Sequence, residues 1–409
     1  MKGSLCAVPA RGEPRRSHRG RHMTWLAKAM QRLGMSRRPS PSTLFEPDHG
    51  MLQPTTQDTW AAIDELSQVV KNNPEAVEIY LALGNLFRSQ GEIERAVQIR
   101  NSLIVRHGLD PALKARAWYQ LGRDFRRGGL LDRALSAFEQ ARNLAGDKPS
   151  ILLEMARLAA DSGEFETAAD YYQTLGRPLE QAHYLVMQAR ELRKNDESSA
   201  PAKGRKLIQR ALKAYPGSVE AWIELVVHVF LGGDEQEFSS MISEALDRVE
   251  PRLRFLLLEG LIQVCPPREQ ADWPPVEAPD ASALGDHHRM LLSAVDAIET
   301  CEPDVVLMFY AAWMLLLCGL ESQARVWLEK CLMLQHDFWL ARVELFSLAR
   351  REQALTPSFN TQLDYFIDRA RGLKRFVCSA CGLKRESIFF LCPKCSTWHS
   401  IVFRTTWTP

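Results

Sequence analysis

Between about residue 58 and residue 371 one pattern of small and bulky residues recurs, and it restricts the fold more than any other feature. Its fullest copy reads Trp118, Leu121, Gly122, Phe125, Gly129, Ala134, Phe138 and Ala141. These residues match W-x2-L-G-x2-Y…A-x3-F-x2-A, a helix–turn–helix unit with a period of about 34 residues. Small residues such as Gly122 and Ala134 let two helices approach closely, while Trp118 and Phe138 fill the space between them. An earlier copy runs Tyr80-Leu-Ala-Leu83-Gly84-Asn-Leu-Phe87, breaks at Gly91 and continues from Glu92 to Val105. Weaker copies are marked by Ala156, Gly163, Ala168 and Tyr172, then by Ile208, Ala211 and Pro216 after an insertion around Asn195 to Lys203. Trp222, Leu225, Gly233 and Ala245 mark a further copy, and Gly319, Ala324, Leu328 and Cys331 a late one. Trp339 to Ala349 begins another helix, whereas residues 250–300 carry the pattern least.

The pattern is that of the tetratricopeptide repeat. It predicts an all-α tetratricopeptide-repeat solenoid over 58–265 and further helical repeats over 287–373, separated by a Pro-rich loop at 266–286 (Pro266-Pro267, Pro274-Pro275, Pro279). The first helices of stacked units form a groove of the kind that binds proteins or peptides. The charged run Arg123-Asp124…Arg126-Arg127 is expected to be a solvated face, able in a groove to grip an acidic partner segment. No Gly-rich phosphate loop, G-x-S-x-G, H-E-x-x-H or acid–base pair is found, so no enzyme is predicted. The doublet His287-His288 reads as part of the solvated loop.

Near the C-terminus stand two C-x-x-C pairs, Cys378-Ser-Ala-Cys381 and Cys392-Pro-Lys-Cys395, separated by ten residues. Four thiolates so spaced can close a tetrahedron around one metal ion, zinc or iron, leaving no open position for substrate. Disulfides are the competing reading. Against them, no secretory signal precedes the chain, so the thiols are expected to stay reduced. Gly382 follows the first pair, where a left-handed residue turns backbone N–H groups toward sulfur. Residues 374–409 are predicted to form a small β-rich module with strands at 375–377, 387–391 and 400–403. A module of about 35 residues buries too little apolar surface to fold unaided, so the metal must supply much of its stability. Lys384, Arg385 and Lys394 offset the charge of the centre, and His399 reads as a surface or packing residue. The remaining cysteines, Cys6, Cys265, Cys301, Cys318 and Cys331, read as packing residues.

The net charge of +1 conceals an asymmetry. Residues 1–50 hold ten Lys and Arg against three Asp and Glu, so they carry +7 and the rest −6. The arm at 1–57 is therefore expected to be disordered. An amphipathic helix at Met23–Leu33 lying on an anionic membrane is the alternative. The longest apolar run, Val305 to Leu320, is just short of a membrane span and is expected to be a buried repeat helix.

Taken together, Leu83-Gly-Asn-Leu-Phe-Arg-Ser89, Gly91-Glu92, Arg95-Ala96, Gln120-Leu-Gly-Arg-Asp-Phe125 and Asp132-Arg-Ala134, followed by the four-cysteine module, resemble the lipopolysaccharide assembly protein B family. The match is strongest over residues 75–140 and 374–404. The resemblance implies a rubredoxin-type module packed against the repeats, with Cys378, Cys381, Cys392 and Cys395 as metal ligands. It implies a non-enzymatic adaptor at the bacterial inner membrane, which helps the AAA+ protease FtsH degrade the deacetylase that commits precursors to lipid A. The family begins with a transmembrane anchor, where this chain has its basic arm. A cytoplasmic protein, peripheral to the inner membrane at most, is expected here, with self-association open. Two other functions remain open. An Fe(Cys)4 centre would suit electron transfer. A ribbon bearing Phe389, Phe390 and Trp398 beside Lys384 and Arg385 would suit nucleic acid, although those rings are expected to form the module's own core.

Overall fold

The computed structural model describes residues 56–72, 76–194, 200–265, 287–353 and 355–406. The basic arm up to residue 55, with Cys6 and the 23–33 stretch, lies outside the described residues. So do the start of the insertion at 195–199 and the Pro-rich loop at 266–286.

The described residues form α1 (Thr56–Asn72), α2 (Val77–Ser89), α3 (Ile93–Ile104), α4 (Pro111–Arg127), α5 (Leu131–Ala145) and α6 (Pro149–Asp161). Then come α7 (Phe165–Thr174), α8 (Pro178–Lys194), α9 (Ala200–Ala214), α10 (Val219–Gly232), α11 (Glu235–Arg248) and α12 (Phe255–Gln263). The last helices are α13 (His287–Thr300), α14 (Val305–Leu317), α15 (Glu321–Leu334), α16 (Trp339–Glu352) and α17 (Pro357–Arg371). Strands β1 (Phe376–Cys378), β2 (Lys384–Arg385) and β3 (Ile401–Phe403) follow. The chain divides between Ser162 and Gly163 into two compact units.

In the first unit, local chemistry sets the helix ends. The Asp110 side chain accepts from the Ala112 N–H with Pro111 in the first turn, so α4 starts there. The α4–α5 link turns at Gly129, whose φ of +75° a side chain would strain. Gly122 is kept small by its neighbour: a Cβ there would lie 2.6 Å from the ring of Phe138, itself fully buried. Gly122→Ala is expected to cost about 1–3 kcal/mol in urea unfolding by forcing α4 and α5 apart. Unchanged stability would show that the close approach is not required.

Asp124 departs from the expected solvated face. It is fully buried, accepting from Arg88 at 2.7 Å and Arg100 at 3.2 Å, and so ties α2, α3 and α4 together. Arg100 is also completely buried and donates to the Leu81 carbonyl and Asn85. Burial outweighs the attraction of Asp124 and lowers the Arg100 guanidinium to about 10, still charged at neutral pH.

In the second unit a large core runs from Val219 through α10–α17 into the strands and ends at Phe403. Asp304 caps α14 by accepting from the N–H groups of Val306 and Leu307. The apolar run from Val305 is indeed a buried repeat helix, and among the described residues no helix is long and apolar enough to cross a membrane. His287 and His288 open α13 instead of lying in a loop, and His287 packs on Phe230 with ring centres 4.8 Å apart. Cys265, Cys318 and Cys331 are buried, and burial pushes the thiols of Cys318 and Cys331 up to about 12, as befits packing residues.

Candidate metal centre

The strands form a sheet of order β2-β1-β3, with β1 paired antiparallel to both neighbours. Strand β1 therefore delivers Cys378 from the centre of the sheet. The strand expected at 387–391 does not form. β2 lies earlier, and in place of the strand Leu391 makes an isolated bridge with Trp398. The adjacent Phe389 and Phe390 are both buried, which a one-sided strand with alternating faces does not permit.

Each C-x-x-C pair closes a tight turn of the same design. Gly382 N–H donates to the Cys378 carbonyl at 2.9 Å, and Ser396 N–H to the Cys392 carbonyl at 2.8 Å. Cys378 N–H donates to Leu383, and Cys392 N–H to Thr397. Gly382 and Ser396 are both left-handed, with φ of +71° and +53°. The turn at Gly382 was legible in the sequence and that at Ser396 was not singled out, although both residues directly follow a C-x-x-C.

The two turns face each other. The sulfurs of Cys378 and Cys395 lie 3.6 Å apart, as do those of Cys381 and Cys392, and all four lie within 4.8 Å of one another. A tetrahedron with metal–sulfur bonds of about 2.3 Å has edges of about 3.8 Å, so four thiolates at these positions fit an ion such as zinc or iron. Burial raises the Cys378 thiol, but the Ser400 hydroxyl at 3.2 Å and the N–H groups of Cys381 and Ala380 outweigh it and lower it to about 6. The Thr397 hydroxyl and N–H lower Cys395 in the same way. Cys381 goes the other way: the Leu383 N–H lowers it, but burial and the sulfurs of Cys395, Cys378 and Cys392 outweigh that and raise it to about 12, so a bound cation has to displace the proton held there.

The module is docked by buried charges that the sequence reading did not single out. Glu259 of α12, 1% exposed, accepts from both Nη atoms of Arg375 at 3.1 and 3.3 Å and from the Tyr310 hydroxyl at 2.6 Å. Glu220 of α10 lies 2.7 Å from His183 Nδ1 and 3.9 Å from His399 Nε2. His399 is thus a buried packing residue, off the metal site. Beside these pairs, Phe403 meets the rings of Phe255, Phe309, Tyr310, Phe338 and Phe376 at 5.8 to 6.1 Å. Trp398 does not join the module's own core: it packs edge-on against His183 and Tyr184 of α8 at 4.8 and 6.3 Å.

Burial by itself would raise Glu220, yet the charge and hydrogen bond of His183, with help from His399, bring it down to about 2. A carboxyl held below its unfolded value of 4.5 contributes stability that is complete above that pH and lost as the pH falls toward 2. Up to ~3 kcal/mol is expected to disappear over that window. Urea titrations at several pH values should show this acid slope in the wild type and a shallower one in Glu220→Gln.

These features define a tetratricopeptide-repeat protein with a C-terminal four-cysteine module. Residues 57–111 and 119–179 match the tetratricopeptide repeat family. The chain is similar to lipopolysaccharide assembly protein B of Escherichia coli (strain K12), with 25% identity over 352 residues, 83% of this chain and 84% of that one. The protein of the same name from Haemophilus influenzae is 28% identical over 190 residues, 44% of this chain and 47% of that one. Among solved structures, a tetratricopeptide repeat protein from Parabacteroides merdae aligns over 69% of this chain and 96% of its own, at 17% identity and a TM-score of 0.31.

Proposed function

We propose that the protein is a non-enzymatic adaptor in lipopolysaccharide synthesis. Its repeats capture the lipid A deacetylase and present it to the membrane protease FtsH, so that the committed step is limited by proteolysis. The observation that carries this reading is the joint occurrence of the repeats and the four-cysteine module in a chain similar to lipopolysaccharide assembly protein B along 83% of its length. Cys378, Cys381, Cys392 and Cys395 hold one iron or zinc ion, whose role is structural: it holds the module in the shape that docks on α10, α12 and α16. The protein acts from the cytoplasm, at the inner face of the membrane where its protease resides.

A tagged pulldown from the native organism, read by mass spectrometry, tests the proposal. The deacetylase or the protease should be recovered with the wild type and lost with Cys392→Ser/Cys395→Ser. Recovery of redox enzymes or ribonucleoproteins in their place would overturn it. Metal analysis of the same preparation distinguishes zinc from iron, since an Fe(Cys)4 centre is coloured and bleaches on reduction whereas zinc is silent.

A further inference from the structure

The repeat register aligns Gly84, Gly122 and Ala156 as equivalent small residues on α2, α4 and α6. One position further along stand Asn85, Arg123 and Arg157, and three beyond those Arg88, Arg126 and Ala160. With the exposed Arg127, these arginines line a groove of about 580 Å³ in the first unit. Glu154, 2% exposed, lies among them and gathers three guanidinium groups: Arg126 at 2.8 Å, Arg157 at 3.0 Å and Arg123 at 3.9 Å. Arg88 is held by the buried Asp124 at 2.7 Å. Five arginines and two carboxylates, Glu154 and Asp161, line the groove, leaving it at +3. The chain outside its N-terminal fifty residues is −6, so this concentration of positive charge runs against the background.

We propose that the groove binds an acidic peptide segment, reading its Asp and Glu carboxylates with Arg123, Arg127 and Arg157, while Arg88 is already held by Asp124, Gln120 and Asn85. Guanidinium forks pair carboxylates in two-bond geometry, and the buried Glu154 holds those of Arg123 and Arg157 in place before the partner arrives. Three helices stacked at about 10 Å intervals span about 20 Å, the length of about six extended residues. The inference rests on the reading that the repeats bind proteins, and it adds the chemistry of what they bind.

The test is fluorescence polarisation of the full-length protein with a labelled peptide of about six glutamates. Binding is expected to weaken as salt rises from about 0.05 to about 0.5 M, and to fall about tenfold or more when glutamine replaces glutamate. Arg123→Gln/Arg157→Gln should lose about tenfold or more. Because those side chains support the buried Glu154, melting curves accompany that variant. Arg127→Gln, at an exposed position, should fold normally and still lose about threefold. Lys206→Gln/Lys213→Gln, at exposed positions of α9, should bind like the wild type. Equal binding of the glutamine peptide, full binding by the folded arginine variants, or no binding at all would overturn the inference. So would binding of phosphatidylglycerol vesicles through these arginines without peptide binding. If the pulldown recovers clients while the glutamate peptide does not bind, the acidic-groove inference fails and the adaptor reading stands.

Discussion

Replacing Cys378 and Cys381 together by serine is expected to abolish metal binding and to lower the stability of the second unit by about 5 kcal/mol or more. Structural zinc sites contribute on the order of 10–16 kcal/mol to isolated zinc-finger peptides. Here the repeats share the load, because Phe376, Phe389, Phe390, Ile401 and Phe403 belong to one core with α10–α17. The melting temperature should therefore fall by on the order of 10–20 °C, given about 2–4 °C per kcal/mol in domains of 150–250 residues. A strong chelator should produce the same shift in the wild type and none in the variant. Hydrogen exchange should locate the loss at residues 376–403 and at the helices facing them. Cys301→Ser, at a half-buried thiol outside the cluster, serves as the control. Full metal content or an unchanged melting curve in the double variant would remove the structural role assigned to the centre.

Removing the carboxylate of Glu259 is expected to be the most damaging single change outside the cysteines. It answers both Arg375 and Tyr310 in a setting almost closed to water. Glu259→Ala leaves a buried guanidinium without its counter-charge, at a cost of about 3–5 kcal/mol. An apolar replacement of the whole group, Glu259→Leu/Arg375→Met/Tyr310→Phe, should regain most of that, since a buried ion pair often adds little over well-packed apolar side chains. Urea unfolding of the two variants separates a charge left unpaired from the net contribution of the pair. A loss below about 1 kcal/mol in Glu259→Ala would mean that Arg375 reaches water, and hence that the module lifts from the repeats at little cost.

The helical hairpins and the thiolate cluster were legible in the sequence, and for the same reason. Gly122, Ala134 and Phe138 act on helices adjacent in the chain, and C-x-x-C acts within one turn, so spacing alone reports the geometry. Other readings failed where the deciding neighbour lies far away in the chain. Asp124 looked like a solvated charge beside Arg123, yet Arg88 and Arg100 close over it. Trp398 looked like module core, yet it packs on a helix more than two hundred positions earlier. Glu259 had a signal that could have been read: it is the one acid in Phe255-Leu-Leu-Leu-Glu-Gly-Leu-Ile262, and a lone charge in an apolar helix needs a buried partner. That partner, Arg375, lies 116 positions away, and no local pattern points to it.

The sequence by itself therefore determined the repeat type, the helix pairs, the absence of a recognisable enzyme motif and the four sulfurs able to meet around one ion. Each follows from interactions over a few residues or between neighbouring helices. The family resemblance implied a module packed against the repeats, but only the tertiary structure decided which residues form the shared core, that Glu220 and Glu259 fasten the module there, and that the arginines of three helices gather in one groove. Those outcomes depend on which surfaces exclude water together, and burial of that kind is a property of the packed chain, set by contacts between segments that are remote along it.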